Sequence, residues 1–191
     1  MQNVEIMDMT LRASGQLSAS GLSFKEKLEI AKLLEKLRVD VVETGYIGDA
    51  PADLAAVRAI ADTLVSSAVS VPVGLGEEEI RRAAQALERA KNPRLNLVVP
   101  TSAVQMEYAY HRKPDSMRKA LSKARPVRLP VSGCGIYRRG RHPQRACLPG
   151  GDGPDSHRRG VSRITLCDSA GQLLPEETAE LVRELTAQVP G

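Results

Sequence analysis

Asp8-Met9-Thr10-Leu11-Arg12-Ala13-Ser14-Gly15-Gln16 follows the short apolar run Val4-Glu5-Ile6-Met7 and precedes a helical pattern that opens near Ser23. A carboxylate, a hydroxyl and a guanidinium thus gather where a first strand ends. In parallel α/β folds that end of the strands is where reactive side chains collect. Alone, the stretch reads as a polar strand-to-helix loop, and most such loops merely connect. Its meaning depends on whether the arrangement recurs down the chain.

It recurs. Phe24, Leu28, Ala31 and Leu34 mark one face of a helix, with Ser23 and Glu26 spaced as a capping box. Val39-Asp40-Val41-Val42-Glu43 then reads as a buried parallel strand that again ends at a carboxylate, followed by Thr44-Gly45. Asp49-Ala50-Pro51 opens a helix to about Leu64, with Leu54, Val57, Ile60 and Ala61 inward. Val69 to Leu75 is a third strand, weakened by Pro72, and Glu77 to Ala90 a third helix with acids early and basic residues late. Arg94 to Val99 is a fourth strand, ending at Pro100-Thr101-Ser102, and helical stretches run from Ala103 to Tyr110 and from Pro114 to Lys123. Strand-then-helix units in succession predict parallel strands with right-handed crossovers. No glycine-rich phosphate loop follows the first strand, which weakens a nucleotide-binding sheet and leaves the barrel.

The rhythm fails at Pro126. Residues 126–160 hold seven arginines, seven glycines and five prolines, with only Asp152 and Asp155 as acids. The net charge of +4 therefore belongs to this stretch and not to the fold. Order returns at Val161-Ser162-Arg163-Ile164-Thr165-Leu166-Cys167-Asp168, a strand ending at a carboxylate. Pro175 to Val189 is a closing helix with Leu181, Val182 and Leu185 inward. The irregular stretch reads as out-of-frame translation bounded by two compensating frame changes, or as a disordered insertion. An RNA-binding reading of its arginines, glycines and Tyr137 is set aside, because there is no repeat and barrel units flank it. The expectation is of no nucleic-acid partner.

No apolar run of about 18 residues occurs, so no membrane span is expected. Acids at Glu5 and Asp8 and the lack of a basic start argue against a secretory signal, and Cys134, Cys147 and Cys167 read as reduced cytoplasmic thiols. At 191 residues the chain is shorter than a complete (β/α)8 barrel, which takes about 250.

Four of these strand ends carry a resemblance. Asp8, Thr10, Leu11, Arg12 and Gln16 keep the pattern Asp-Thr-Thr-Leu-Arg-Asp-Gly-Glu-Gln of the acyl-CoA condensing enzymes and lyases, the superfamily of isopropylmalate synthase, homocitrate synthase and HMG-CoA lyase. Val39 to Gly45 resembles that family's Val-Asp-Val-Ile-Glu-Ala-Gly, and Thr101-Ser102 through Met106-Glu107 its Thr-Ser-Asp-Ile-His-Met-Glu, with Gln105 where histidine is usual. Asp168-Ser169-Ala170-Gly171 resembles its Asp-Thr-Val-Gly. The resemblance implies an α/β fold: an incomplete (β/α)8 TIM barrel of about six βα units, the fifth disrupted, forming one partial catalytic domain over residues 1–191.

It also implies a chemistry. In the family a divalent metal (Mg, Mn or Zn) polarises the carbonyl of a 2-keto acid, acetyl-CoA is enolised, and the carbanion adds to that carbonyl; lyases run the carbon–carbon step in reverse. By resemblance, Arg12 stabilises enolate charge and Glu43 orients it, while Asp8, Thr10, Thr101, Ser102, Asp168 and Ser169 are substrate-binding candidates. The partners implied are acetyl-CoA, a 2-keto acid and a second copy of the chain. Ala13 and Gly15 depart from the motif, and Ala13 stands where the family has a metal ligand. The family's His-x-His pair on strand seven has no counterpart, since His111, His142 and His157 are scattered. The expectation is a chain that holds no catalytic metal and is inactive alone; the alternative is a silent relative that binds a keto acid, an acyl-CoA or a full-length partner.

Overall fold

Ser23 begins the first long helix by the reciprocal bonding its spacing predicts. Its hydroxyl accepts from the Glu26 backbone N–H, and the Glu26 carboxylate accepts from the Ser23 backbone N–H. The computed structural model describes residues 4–17, 21–100, 103–108, 110–123, 131–137, 161–168, 171 and 173–188. These divide into two compact units, one of the described residues up to Asn96 and one of those from Leu97 onward.

The first unit alternates strand and helix: β1 (Met7–Asp8), α1 (Thr10–Leu17), α2 (Phe24–Lys36), β2 (Val41–Glu43), α3 (Pro51–Thr63), β3 (Ala68–Val73), α4 (Glu77–Ala86) and β4 (Pro93–Leu97), the last residue of β4 falling in the second unit. The strands lie in the order β1-β2-β3-β4. β1 runs parallel to β2, with Met7 opposite Val41, and β2 runs parallel to β3, with Glu43 opposite Ser70. All of β2 and β3 is buried, as expected of parallel strands covered by helices on the outside. The core they share with the helices is aliphatic, Val42, Val71, Ile60, Leu64 and Leu87 among its most enclosed members.

The second unit contains α5 (Ala103–Tyr108), α6 (Pro114–Lys123), β5 (Val131–Tyr137), β6 (Val161–Cys167) and α7 (Pro175–Gln188). β5 and β6 are parallel, from Val131 opposite Val161 to Tyr137 opposite Cys167, with two shifts of register between. Leu181 and Leu185 of α7 are buried with Leu166 and Leu173 packed against them.

Several expectations need correcting. Residues 131–137, inside the stretch read as irregular, form a strand. A parallel ladder is built from backbone groups, so Gly133 and Gly135 can join it while erasing the side-chain period that reveals a strand. The loop reading of the opening motif is also wrong, since Thr10–Leu17 is helical. Asp8 explains this: its carboxylate accepts from the Thr10 backbone N–H at 2.9 Å and from the Thr10 hydroxyl at 3.1 Å, starting the helix two residues on. α4 stops at Ala86, so the late basic residues lie beyond it and only its acidic first turn, Glu77 to Glu79, meets the dipole. Phe24 and Val182, expected inward, are exposed.

Pro72 sits within β3 without harm. The Ala68 N–H faces β2 and bonds the Asp40 carbonyl, so by alternation position 72 faces the same way. The registered pairs end at Glu43 and Ser70, one step before a proline N–H would be needed.

Candidate functional site

Glu43 closes β2 and is completely enclosed, with a relative side-chain exposure of 0%. An ionised carboxylate in that position must be paired and fully hydrogen-bonded. It is. Arg12, from α1, donates Nη1 to Glu43 Oε1 in an ion pair, its own side chain 19% exposed. Ser70 Oγ donates to Glu43 Oε2 at 3.1 Å, and Asn96 Nδ2 donates to the same oxygen at 2.7 Å. Ser70 lies opposite Glu43 in register and Asn96 sits one strand further, on β4, so three neighbouring strands supply the cluster.

Arg12 has a second neighbour. Its Nη2 donates to the Tyr46 hydroxyl oxygen at 3.2 Å, and its Cζ lies 5.3 Å from the Tyr46 ring centroid, within cation–π range. The guanidinium is held in place from the strand below and the loop beside it. Its charge is permanent at any working pH.

The other candidates are placed as follows. Asp8 and Thr10 bond each other at the start of α1. Asp168, in the second unit, accepts the Leu173 backbone N–H on Oδ2 at 2.8 Å, and its carbonyl accepts from Gly171, whose φ of +58° a glycine adopts at no steric cost. Gln105 is half-buried on α5. Thr101, Ser102 and Ser169 lie outside the described residues. Ser70, Asn96 and Tyr46 were missed from sequence. The signal for the first two was a single polar residue inside an apolar run, Val69-Ser70-Val71 and Leu95-Asn96-Leu97.

The described donors at this rim do not fit a divalent metal. Ala13 has no lone pair to offer. Nearby carboxylates are committed: Asp8 to Thr10, Glu43 to its three donors, and Glu5 to Arg94, which reaches it with both terminal nitrogens at 3.0 and 3.4 Å. Among the described residues no three His, Cys, Asp or Glu side chains cluster to hold an ion. Among them, too, no helix is long and apolar enough to cross a membrane.

Parallel strands alternating with helices, with polar side chains meeting towards the ends of those strands, match a portion of a TIM-barrel fold. The HMGL-like family model matches residues 3–191, and the chain belongs to that family. It is 33% identical over 195 residues to a 2-isopropylmalate synthase of Caulobacter vibrioides, covering 99% of this chain and 36% of that protein. With the 2-isopropylmalate synthase of Neisseria meningitidis serogroup B the identity is 32% over 192 residues, 98% of this chain and 36% of the relative. The chain thus spans about a third of the length of the curated relatives it matches. Among solved structures, hydroxymethylglutaryl-CoA lyase from Pseudomonas aeruginosa superposes with a TM-score of 0.71 at 13% identity, over 97% of this chain and 64% of that one. An HMG-CoA lyase from Acinetobacter baumannii, in complex with coenzyme A and 3-methylmalate, gives a TM-score of 0.70 at 14% identity, over 97% and 63%. At that identity the likeness concerns the fold.

Proposed function

We propose that the Arg12–Glu43 rim is the anion-stabilising part of an acyltransferase site of the 2-isopropylmalate or homocitrate synthase type, which joins acetyl-CoA to a 2-keto acid through an enolate. The observation that supports it is the buried, triply bonded Glu43, which fixes a permanently charged guanidinium at a strand end. A guanidinium fixed beforehand stabilises oxygen charge without reorganising when that charge develops. Glu43 is not a base in this scheme: both of its oxygens accept hydrogen bonds, and its task is to orient Arg12. Arg12 would take the carboxylate of the keto acid or the oxygen of the enolate; a keto acid and an acyl-CoA are the ligands. Ala13 offers no ligand where the family has one, so this scheme asks nothing of a metal.

The chain alone is then expected to bind but not to turn over. Calorimetry with 2-ketoisovalerate, pyruvate and acetyl-CoA, beside a thiol assay for released coenzyme A, tests this. Binding of a keto acid that disappears in Arg12→Met, with no coenzyme A released, is the expected outcome. A wild-type chain that binds none of the three sinks the proposal. Ala13 favours a second reading, a silent relative that engages a ligand or a full-length partner without chemistry. Saturable, near-stoichiometric binding of Mg²⁺, Mn²⁺ or Zn²⁺ would instead favour the enzyme over the silent relative.

A further inference from the structure

Tyr46 lies three residues beyond Glu43, in the loop Gly45-Tyr46-Ile47-Gly48-Asp49, and is 47% exposed. A half-exposed tyrosine is often only a cover. This one touches the group at the centre of the site twice, through its hydroxyl oxygen at 3.2 Å from Arg12 Nη2 and through its ring. Arg12 is therefore gripped at both terminal nitrogens, Nη1 by Glu43 and Nη2 by Tyr46. A contact on Nη2 in addition to the one on Nη1 holds the plane of the guanidinium as well as its position.

The loop carrying Tyr46 is itself tied down. Arg82 of α4 donates Nη1 to the Gly48 carbonyl at 2.9 Å and to Asp49 Oδ1 at 2.6 Å. The Asp49 contact, with burial of the guanidinium working against it, raises the Arg82 pKa further. Glu43 sets where Arg12 sits, and the fastened loop sets how its fork is turned.

We propose that Tyr46 is a positioning residue that fixes the plane of the Arg12 guanidinium for an incoming carboxylate or enolate oxygen. Its purpose rests on the functional reading above, whereas its geometry does not, and the two fail separately. In the full chain labelled with ¹³C,¹⁵N-arginine, the exchange of Nη1 with Nη2 of Arg12 reports rotation of the guanidinium by NMR. Tyr46→Phe keeps the ring and removes the oxygen; Tyr46→Ala removes both. Loss of a hydrogen bond to a charged group predicts exchange about tenfold faster in Tyr46→Phe, faster again in Tyr46→Ala, and 2-ketoisovalerate affinity about tenfold weaker in Tyr46→Phe. Exchange in Tyr46→Phe within about twofold of wild type overturns the inference. So does unchanged affinity in that variant when the wild type binds. A wild type that binds no probe refutes the functional reading alone, and the exchange rates then decide the role of Tyr46.

Discussion

Removing the positive charge of Arg12 should cost more than removing both charges of its ion pair. In Arg12→Met the stem is kept, and a carboxylate with 0% exposure loses its cation. Breaking a buried pair from one side costs about 3–5 kcal/mol. Ser70 and Asn96 still donate to Glu43 Oε2, and the Arg12 end of the pair is partly wet, which sets the expectation at the low end, about 3 kcal/mol. In Arg12→Met with Glu43→Gln, the amide oxygen can still accept from Ser70 and Asn96 and no charge is stranded. That double variant should lose only about 1–2 kcal/mol, the worth of the bonds removed.

Global melting is a poor readout for a chain of two units, so a local probe is needed. The Thr44 amide, bonded to the Ser70 carbonyl at 2.9 Å, sits beside the cluster. Its hydrogen exchange should accelerate by about two orders of magnitude in Arg12→Met and by about tenfold in the double variant. Ordinary contact loss gives the opposite order, with the double variant the less protected. Seeing that order, or a change in Arg12→Met of less than about twofold, would show that Glu43 does not depend on Arg12 and refute the electrostatic argument.

Glu35 accepts the backbone N–H groups of Val65, Ser66 and Ser67. Burial works to raise its pKa from 4.5, but the hydrogen bonds from Ser66 and Ser67 outweigh it and bring it to about 2. The stabilisation is thus complete above the unfolded value and lost as pH falls through the folded one. Between those two values the wild type should lose about 1–2 kcal/mol, discounted for partial exposure, and Glu35→Gln should flatten that slope in urea titrations; parallel slopes would count against it. Arg38 follows α2 with φ +57°, so Arg38→Gly should stabilise by about 1 kcal/mol, measured as the shift in urea midpoint. Val4, Ile6 and Leu37 are exposed apolar residues near or on β1 and α2, and β1 stands first in the strand order. Sedimentation should show self-association that Ile6→Lys with Leu37→Lys weakens by about tenfold, and unchanged association would exclude this face.

The βα rhythm was legible because burial imposes it on side chains. Parallel strands covered on both faces are nearly continuous apolar runs, and Val41-Val42 and Val69-Ser70-Val71 announce themselves in that way. Caps were legible for a similar reason: Ser23 and Glu26 satisfy each other within four residues, so spacing suffices. Where no side chain carries the pattern, nothing can be read, and Gly133 and Gly135 joined a strand unannounced. Arg12 and Glu43 stood out only by resemblance to a motif; composition and period say nothing of which guanidinium meets which carboxylate.

Ser70 and Asn96 show what a sequence reading can add at such a rim. In an apolar parallel strand a lone polar residue is expensive unless something buried requires it. Ser70 on β3 and Asn96 on β4 are each flanked by apolar residues, and both donate to the same oxygen of Glu43. A buried carboxylate on one strand therefore predicts a donor at the matching level of the adjacent strand, and the pairing of Glu43 with Ser70 supplies that level. Tyr46 escapes the rule because it lies in a loop, where no ladder fixes the register. That loop is fastened at Gly48 and Asp49 by Arg82 of α4, at sequence separations of 34 and 33. Register with Glu43 thus singles out Ser70, while Asn96 on β4 and Tyr46 in its loop need coordinates.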